Sequence, residues 1–281
     1  MYQEGPPRTA LQRTHGIGRI SLRAQANQTR PKALYQEGAF KARLLQPPGQ
    51  DHIDVALINT AGGLTGGDTM ALEVDAGANT ATALSTQACE KFYKSGGGET
   101  RITTRLTLSE DAALNWLPQE AILFDSSDVI RAIDVEMAST ARLLMAESVL
   151  LGRSYSAEQY LSGRLQDSWS VRMNGRLVHC ERLALNAESA MPINCAAKLG
   201  SYKAIATVLL ITKNAQSFIK PVRQTLSSSE AVGGASAWRV GEANKLVVRL
   251  AARDGYALRK ALLPVIAILG QGRTLPRLWN T

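Results

Sequence analysis

The chain has 281 residues, 45% of them hydrophobic and 20% charged, a globular rather than a disordered composition. Lysine and arginine outnumber aspartate and glutamate by 32 to 24, and the resulting +8 suits an acidic partner: nucleic acid, an anionic surface or an acidic protein. Aromatic residues are only 5% and the basic residues are scattered, which counts against nucleic acid, because a single-strand groove needs stacking rings beside its charge.

Residues 1–16 are rich in proline, glycine and arginine and are expected to be flexible. They lack the apolar stretch of a secretory signal, and the longest apolar run, near Ala261 to Leu269, is far short of a membrane span. Residues 17–281 read as one continuous domain, with a β body over 17–200 and an α/β part over 201–281. In the body, side chains alternate over His52–Ile58, Met70–Val74, Ala81–Leu84 and Ile102–Leu108, in segments rich in Thr, Val, Ile and Leu. Turn signals fall at Ala61 to Gly63, Asp75 to Asn79, Ser95 to Gly98, Ser109 to Asp111 and Asp125 to Asp128. Many short strands so punctuated fit a sandwich, a barrel or a solenoid, and no fixed-length repeat singles out the solenoid.

The carboxyl-terminal part changes rhythm. Ala204–Thr212 reads as a buried strand, and Asn214–Ser227 has helical spacing that Pro221 can kink or split. Two short strands are expected near Ser236–Val240 and Leu246–Ala251. A final helix is expected over Asp254–Leu269, with Gly270 just past its end.

Five segments stand out. In Asn59 to Asp68 the glycines Gly62, Gly63, Gly66 and Gly67 permit sharp bends or close approach, but the lysine of a phosphate loop and the frame of a dinucleotide fingerprint are both missing. The plain reading is a tight connection between strands, with Asp68 its one ionisable group. Thr86 to Ser95 carries Cys89, Glu90, Lys91, Tyr93 and Lys94. With no histidine beside it, Cys89 reads as a small core residue rather than a nucleophile. In Leu117 to Phe124, Pro118 suits the start of a strand, followed by core residues, and Gln119 lies just after it. Arg142 to Arg153 is apolar except for Glu147, a carboxylate that needs a partner if buried; Arg142 and Arg153 are the nearest cations. Near the carboxyl end lies Leu275-Pro276-Arg277-Leu278-Trp279. Outside these segments, Glu181 follows His179 and Cys180 between strand-like stretches.

The three cysteines, Cys89, Cys180 and Cys195, are widely spaced and form no CxxC pair. Neither a disulfide framework nor a zinc module is expected, and free thiols suit a reducing cytoplasm. A hydrolase on a β-helical or β-sandwich body would need close carboxylates, such as Asp125 with Asp128 or Asp68 with Glu181. No motif assigns those pairs acid and base roles. Such a carbohydrate-active hydrolase and a basic nucleic-acid-binding protein are the alternative readings of the residues.

Taken in order, GGLTGGD, TQACEKFYKS, LPQEAILF, RLLMAESVLLGR and LPRLW resemble the signatures of the urease accessory protein UreD (UreH) family, over about Gly18 to Trp279. The resemblance implies a mainly β, β-helix-like solenoid with a small carboxyl-terminal α/β subdomain of about two helices. It implies no catalysis. It implies a scaffold that binds the helical accessory protein UreF and, through it, the GTPase UreG. That assembly docks on apo-urease and passes nickel inward, while the active-site lysine is carbamylated. Nickel(II) would be transient rather than firmly bound. Acidic residues of an internal channel map to Asp68, Glu147 and Glu181, and more loosely to Asp51. Glu90 falls where relatives vary. Gly62, Gly63, Gly66, Gly67, Lys91, Tyr93, Gln119, Arg142 and Arg277 are motif or interface positions. His179 and Cys180, adjacent in the chain, are candidate weak ligands, since nickel accepts imidazole and thiolate as well as carboxylate.

Overall fold

The computed structural model describes residues 12–47, 49–152, 160–187, 193–196, 198–270 and 276–279. Most of the amino-terminal stretch expected to be flexible, and Arg153, lie outside them. The first strands are β1 (His15–Gln25), β2 (Gln28–Gly38), β3 (Phe40–Leu45), β4 (Ile53–Asn59), β5 (Thr69–Ala76) and β6 (Ala81–Thr86). Then come β7 (Glu90–Phe92), β8 (Thr100–Leu108), β9 (Ala113–Trp116), β10 (Ala121–Leu123), β11 (Ser127–Met137) and β12 (Arg142–Leu151). β13 (Gly163–Met173), β14 (Arg176–Asn186) and β15 (Ala204–Thr212) lead to helix α1 (Ile219–Ser227). The chain continues through β16 (Val232–Val240) and β17 (Ala243–Ala252) to α2 (Gly255–Leu269).

The strands form a seven-stranded sheet, ordered β14-β13-β11-β8-β5-β1-β2, and a ten-stranded sheet. The larger runs β16-β17-β15-β12-β9-β6-β4-β3, with β7 and β10 branching from β12. From β4 to β13 the chain passes back and forth between the sheets, and successive passes pair in parallel. Leu72 faces Thr104, which faces Ile133, which faces Trp169. In the opposite sheet Leu84 faces Trp116, which faces Met145. This is the expected solenoid. Its coils are unequal in length, which is why no fixed repeat appears in the sequence. A third short row stacks Glu90, Ala121 and Val149.

Antiparallel hairpins finish both ends. In the β1–β2 hairpin Ala26 and Asn27 both have positive φ, as a two-residue turn matched to strand twist requires. Inward-facing aliphatic residues of both sheets form the main core. β12 is buried on both faces: Leu143 and Met145 point into the solenoid, while Leu144 and Ala146 join a second core under α1 and α2. The carboxyl-terminal part therefore extends the larger sheet rather than standing apart from it.

Local expectations differ at several points. The break in the 214–227 stretch falls between a 3-10 turn, Ala215–Phe218, and α1; Pro221 sits harmlessly in the first helical turn. Asp75 and Ala76 lie in β5, and Ser127 and Asp128 in β11, rather than in the turns expected there. Pro118 precedes β10 instead of starting it. Glu181 lies inside β14 rather than between strands. The final helix matches its reading, with the Asp254 carboxylate accepting from the Ala257 N–H at 2.8 Å. No helix among the described residues is long and apolar enough to cross a membrane.

Candidate functional site

Four of the five signature segments meet at one cavity of about 240 Å³ between the sheets. Its wall includes Gly62 and Gly63, then Cys89 just before β7 and Glu90 at its start, then Gln119, and Glu147 from β12. Stacking of the coil corners brings these distant segments together. Leu64 bridges to Phe92, and the Tyr93 ring lies 5.0 Å from that of Phe124. The glycines serve that stacking: a Cβ on Gly66 would meet the carbonyl oxygens of Gly97, at 2.8 Å, and Gly98, and one on Gly63 would meet Tyr93 and the Lys91 carbonyl. Lys91 contributes that carbonyl as an acceptor for the Leu64 N–H, at 2.7 Å. The strand-connection reading of this cluster therefore holds locally.

Two members of a buried triad, Arg131 and Glu147, bring charge to the cavity alongside Glu90 and Lys91. Arg131 of β11 lies on the inward phase beside Val129 and Ile133, and Asp167 faces it in register from β13. Glu147 reaches in from the opposite sheet. All three are at most 8% exposed. Arg131 Nη2 donates to Asp167 Oδ2 at 2.5 Å, and Nη1 lies 2.6 Å from Glu147 Oε2. Trp116 Nε1 donates to Glu147 Oε1 at 2.7 Å. Burial holds the Glu147 carboxyl above its ordinary value; Arg131 opposes that shift and the charge of Asp167 adds to it. Burial works against the charge on Arg131 as well, but Asp167 and Glu147 outweigh it and keep the guanidinium firmly charged. Glu90 accepts from Asn59 Nδ2 at 3.0 Å, and burial pushes its carboxyl up to about 7.

Arg142, one of two partners expected for Glu147, points elsewhere: it donates to Asn115 Oδ1 at 2.8 Å and to the Leu269 carbonyl at the end of α2. The triad has a visible sequence signal. Alternation places a cation and an anion on the apolar phases of β11 and β13, but only strand register shows that they meet.

The last signature segment fastens the outer side of the same corner. Arg259 Nη1 donates to Gln119 Oε1 at 2.7 Å and to Glu120 Oε1 at 3.1 Å, and its guanidinium lies 4.8 Å from the Trp279 ring centre. Gln119 Nε2 donates to the Leu278 carbonyl at 2.6 Å. Cys89 Sγ lies 3.3 Å from Glu120 Oε2, and burial, with Glu120 beside it, pushes the thiol up to about 11. Such a thiol is inert at neutral pH, in line with its not being a nucleophile, but Cys89 is half-buried on the cavity wall rather than in the core.

The other expected positions are dispersed. Asp68 is buried and clamps a turn, accepting the N–H groups of Thr14 at 2.7 Å and Thr65 at 2.8 Å. Glu181 pairs with Arg249. His179 and Cys180 point to opposite faces of β14, one buried and one exposed, so they cannot share an ion within that strand. His179 is held neutral, its pKa lowered to about 4 by burial and by Lys245 and Arg249. Asp51 is exposed, 3.7 Å from His52 Nδ1. Gly67 has φ +90°, in the region that favours glycine. Arg277 is exposed in the 3-10 turn Arg277–Trp279, where its charge opposes the burial-driven rise of the Asp54 pKa. The carboxylates considered for glycoside chemistry are occupied: Asp125 accepts the N–H groups of Leu161 and Ser162, and Asp128 pairs with Arg164. Among the described residues no group of three His, Cys, Asp or Glu side chains is placed to hold a metal ion.

The family model for the UreD urease accessory protein matches residues 15–280. The chain belongs to the UreD family. Urease accessory protein UreD of Rhizobium etli is 44% identical over 273 residues, covering 97% of each chain. Urease accessory protein UreD 1 of Brucella abortus is 41% identical over 271 residues, and that of Brucella anthropi is 42% identical over 273, each covering 96% of this chain and 95% of the relative. In this UreD-family fold the signature segments make the coil corners, the cavity wall and its outer clamp.

Proposed function

We propose that this protein is a urease maturation factor, a scaffold without catalysis of its own. It binds apo-urease together with a UreF-type helical protein and a UreG-type GTPase in the cytoplasm, and helps deliver nickel(II) to the urease active site. Family membership supports the urease role. The observation that carries the nickel route is Glu147, a buried carboxylate on the wall of a cavity that four signature segments build. A divalent cargo needs oxygen ligands that hold it briefly, and one carboxylate with a counter-ion nearby does that, whereas a closed set of ligands would store the ion. Glu90 gives the same wall a second carboxyl. Asp68, Glu181 and Asp51 lie off this wall and belong to the proposed route only outside the cavity.

Deletion of the gene beside an intact urease operon tests the reading. Urease should accumulate folded but short of nickel, and co-purification with the UreF-type and UreG-type proteins should require this chain. Fully metallated urease in the deletion strain under scarce nickel would overturn it. Separate alanine replacements of Asp68, Glu147 and Glu181 test the route, since normal activation with all three would remove it.

A further inference from the structure

We infer that Arg131 is a built-in counter-ion that stops Glu147 from trapping nickel(II), with Asp167 as the carboxylate that restrains the guanidinium, a role that rests on the proposed passage of nickel through this cavity. The triad sets one cation against two carboxylates, all buried. Only Arg131 and Glu147 of the three face the cavity. Asp167 stands behind them and takes the Nη2 hydrogen bond, leaving Nη1 beside Glu147 Oε2. Trp116 fixes the other oxygen of Glu147 from its own side. Glu147 is thus held in place, and its charge is shared between a permanent cation and whatever enters the cavity.

The sharing decides affinity. In a low-dielectric site a guanidinium beside the carboxylate repels a divalent ion and competes for the same oxygen. Without Asp167, the full charge of Arg131 would fall on Glu147 and the cavity would hold cations more weakly. Without Arg131, Glu147 would meet an arriving ion with no cation beside it and hold it. The triad, one guanidinium set between two carboxyl groups, lies between: attractive enough for entry and weak enough for exit. Arg131 and Asp167 are therefore positioning residues that act through Glu147.

Equilibrium dialysis of the full-length protein against nickel(II) chloride tests this, taking as cavity-bound the nickel that is lost in Glu147→Gln. Asp167→Asn is expected to weaken that binding roughly tenfold, although Asp167 does not line the cavity. The double variant Arg131→Met with Asp167→Asn keeps the triad's net charge yet removes the guanidinium, and is expected to bind roughly tenfold more tightly than the natural protein. A purely structural role predicts weaker binding in both variants, and a net-charge effect alone predicts no change in the double variant. Thermal melts confirm that each variant is folded; if the double variant is not, Asp167→Asn decides. Unchanged affinity in Asp167→Asn, or a folded double variant that binds no more tightly than the natural protein, overturns the inference. If Glu147→Gln removes no nickel from the natural protein, the cavity route itself falls.

Discussion

Trp279 Nε1 donates a 2.9 Å hydrogen bond to the Leu117 carbonyl, fastening the carboxyl end of the described chain to a corner of the solenoid. The ring is 2% exposed and belongs to the core beneath the helices. Trp279→Ala is expected to cost about 3–5 kcal/mol, the range for truncating a buried aromatic. Trp279→Phe, which keeps most of the packing and leaves the carbonyl unpaired, should cost about 1–3 kcal/mol. Urea unfolding of the two variants checks the order.

Arg259 supports the same corner by charge. Glu120 is 4% exposed, so Arg259→Ala would leave it buried without its cation, at a cost of about 3–5 kcal/mol. Adding Glu120→Gln to Arg259→Ala should recover part of that loss, because the uncompensated charge goes with it. A double-mutant cycle by chemical denaturation measures the coupling.

The glycine cluster gives a paired test. Gly66→Ala drives a methyl group into the carbonyls of Gly97 and Gly98 and should destabilise by about 2 kcal/mol or more. Gly96, in the facing loop, has open space where its Cβ would point, so Gly96→Ala should stay within about 0.5 kcal/mol of the natural protein. Equal effects would mean that the corners do not stack as described.

Glu90 gives stability a pH dependence. The folded protein holds this proton up to about pH 7, while an ordinary glutamate, near 4.5, releases it in the unfolded chain. Between those values the unfolded chain carries fewer protons, so stability falls as pH rises. The penalty is absent below about 4.5 and complete above about 7. Glu90→Gln should flatten that window and leave the variant more stable above pH 7, by something on the order of 2 kcal/mol. Thermal melts of both proteins from pH 4.5 to 8 decide it.

Much of the β body can be read from alternation alone. Met70–Val74, Ala81–Leu84 and Ile102–Leu108 each fall inside an observed strand, and Ala204–Thr212 coincides with β15. Glu147 was legible as a buried carboxylate because it interrupts an apolar run. Its partner was not, because Arg142 and Arg153 are near in sequence while Arg131 is near only across the cavity. Parallel pairing between unequal coils leaves no periodic trace, so which strand lies beside which, and therefore which charges meet, depends on tertiary register. The same limit hid the docking of Trp279 on Leu117, two residues at opposite ends of a long stretch of chain. His179 and Cys180 show the converse: neighbours in sequence that a strand separates onto opposite faces.

The most direct test is the nickel content of urease purified from cells in which Glu147→Gln replaces the natural chain, grown on limiting nickel. The variant should still co-purify with urease and its accessory partners, while the urease is folded and depleted of metal. Urease carrying as much nickel as in cells with the natural chain would contradict a nickel route through this cavity.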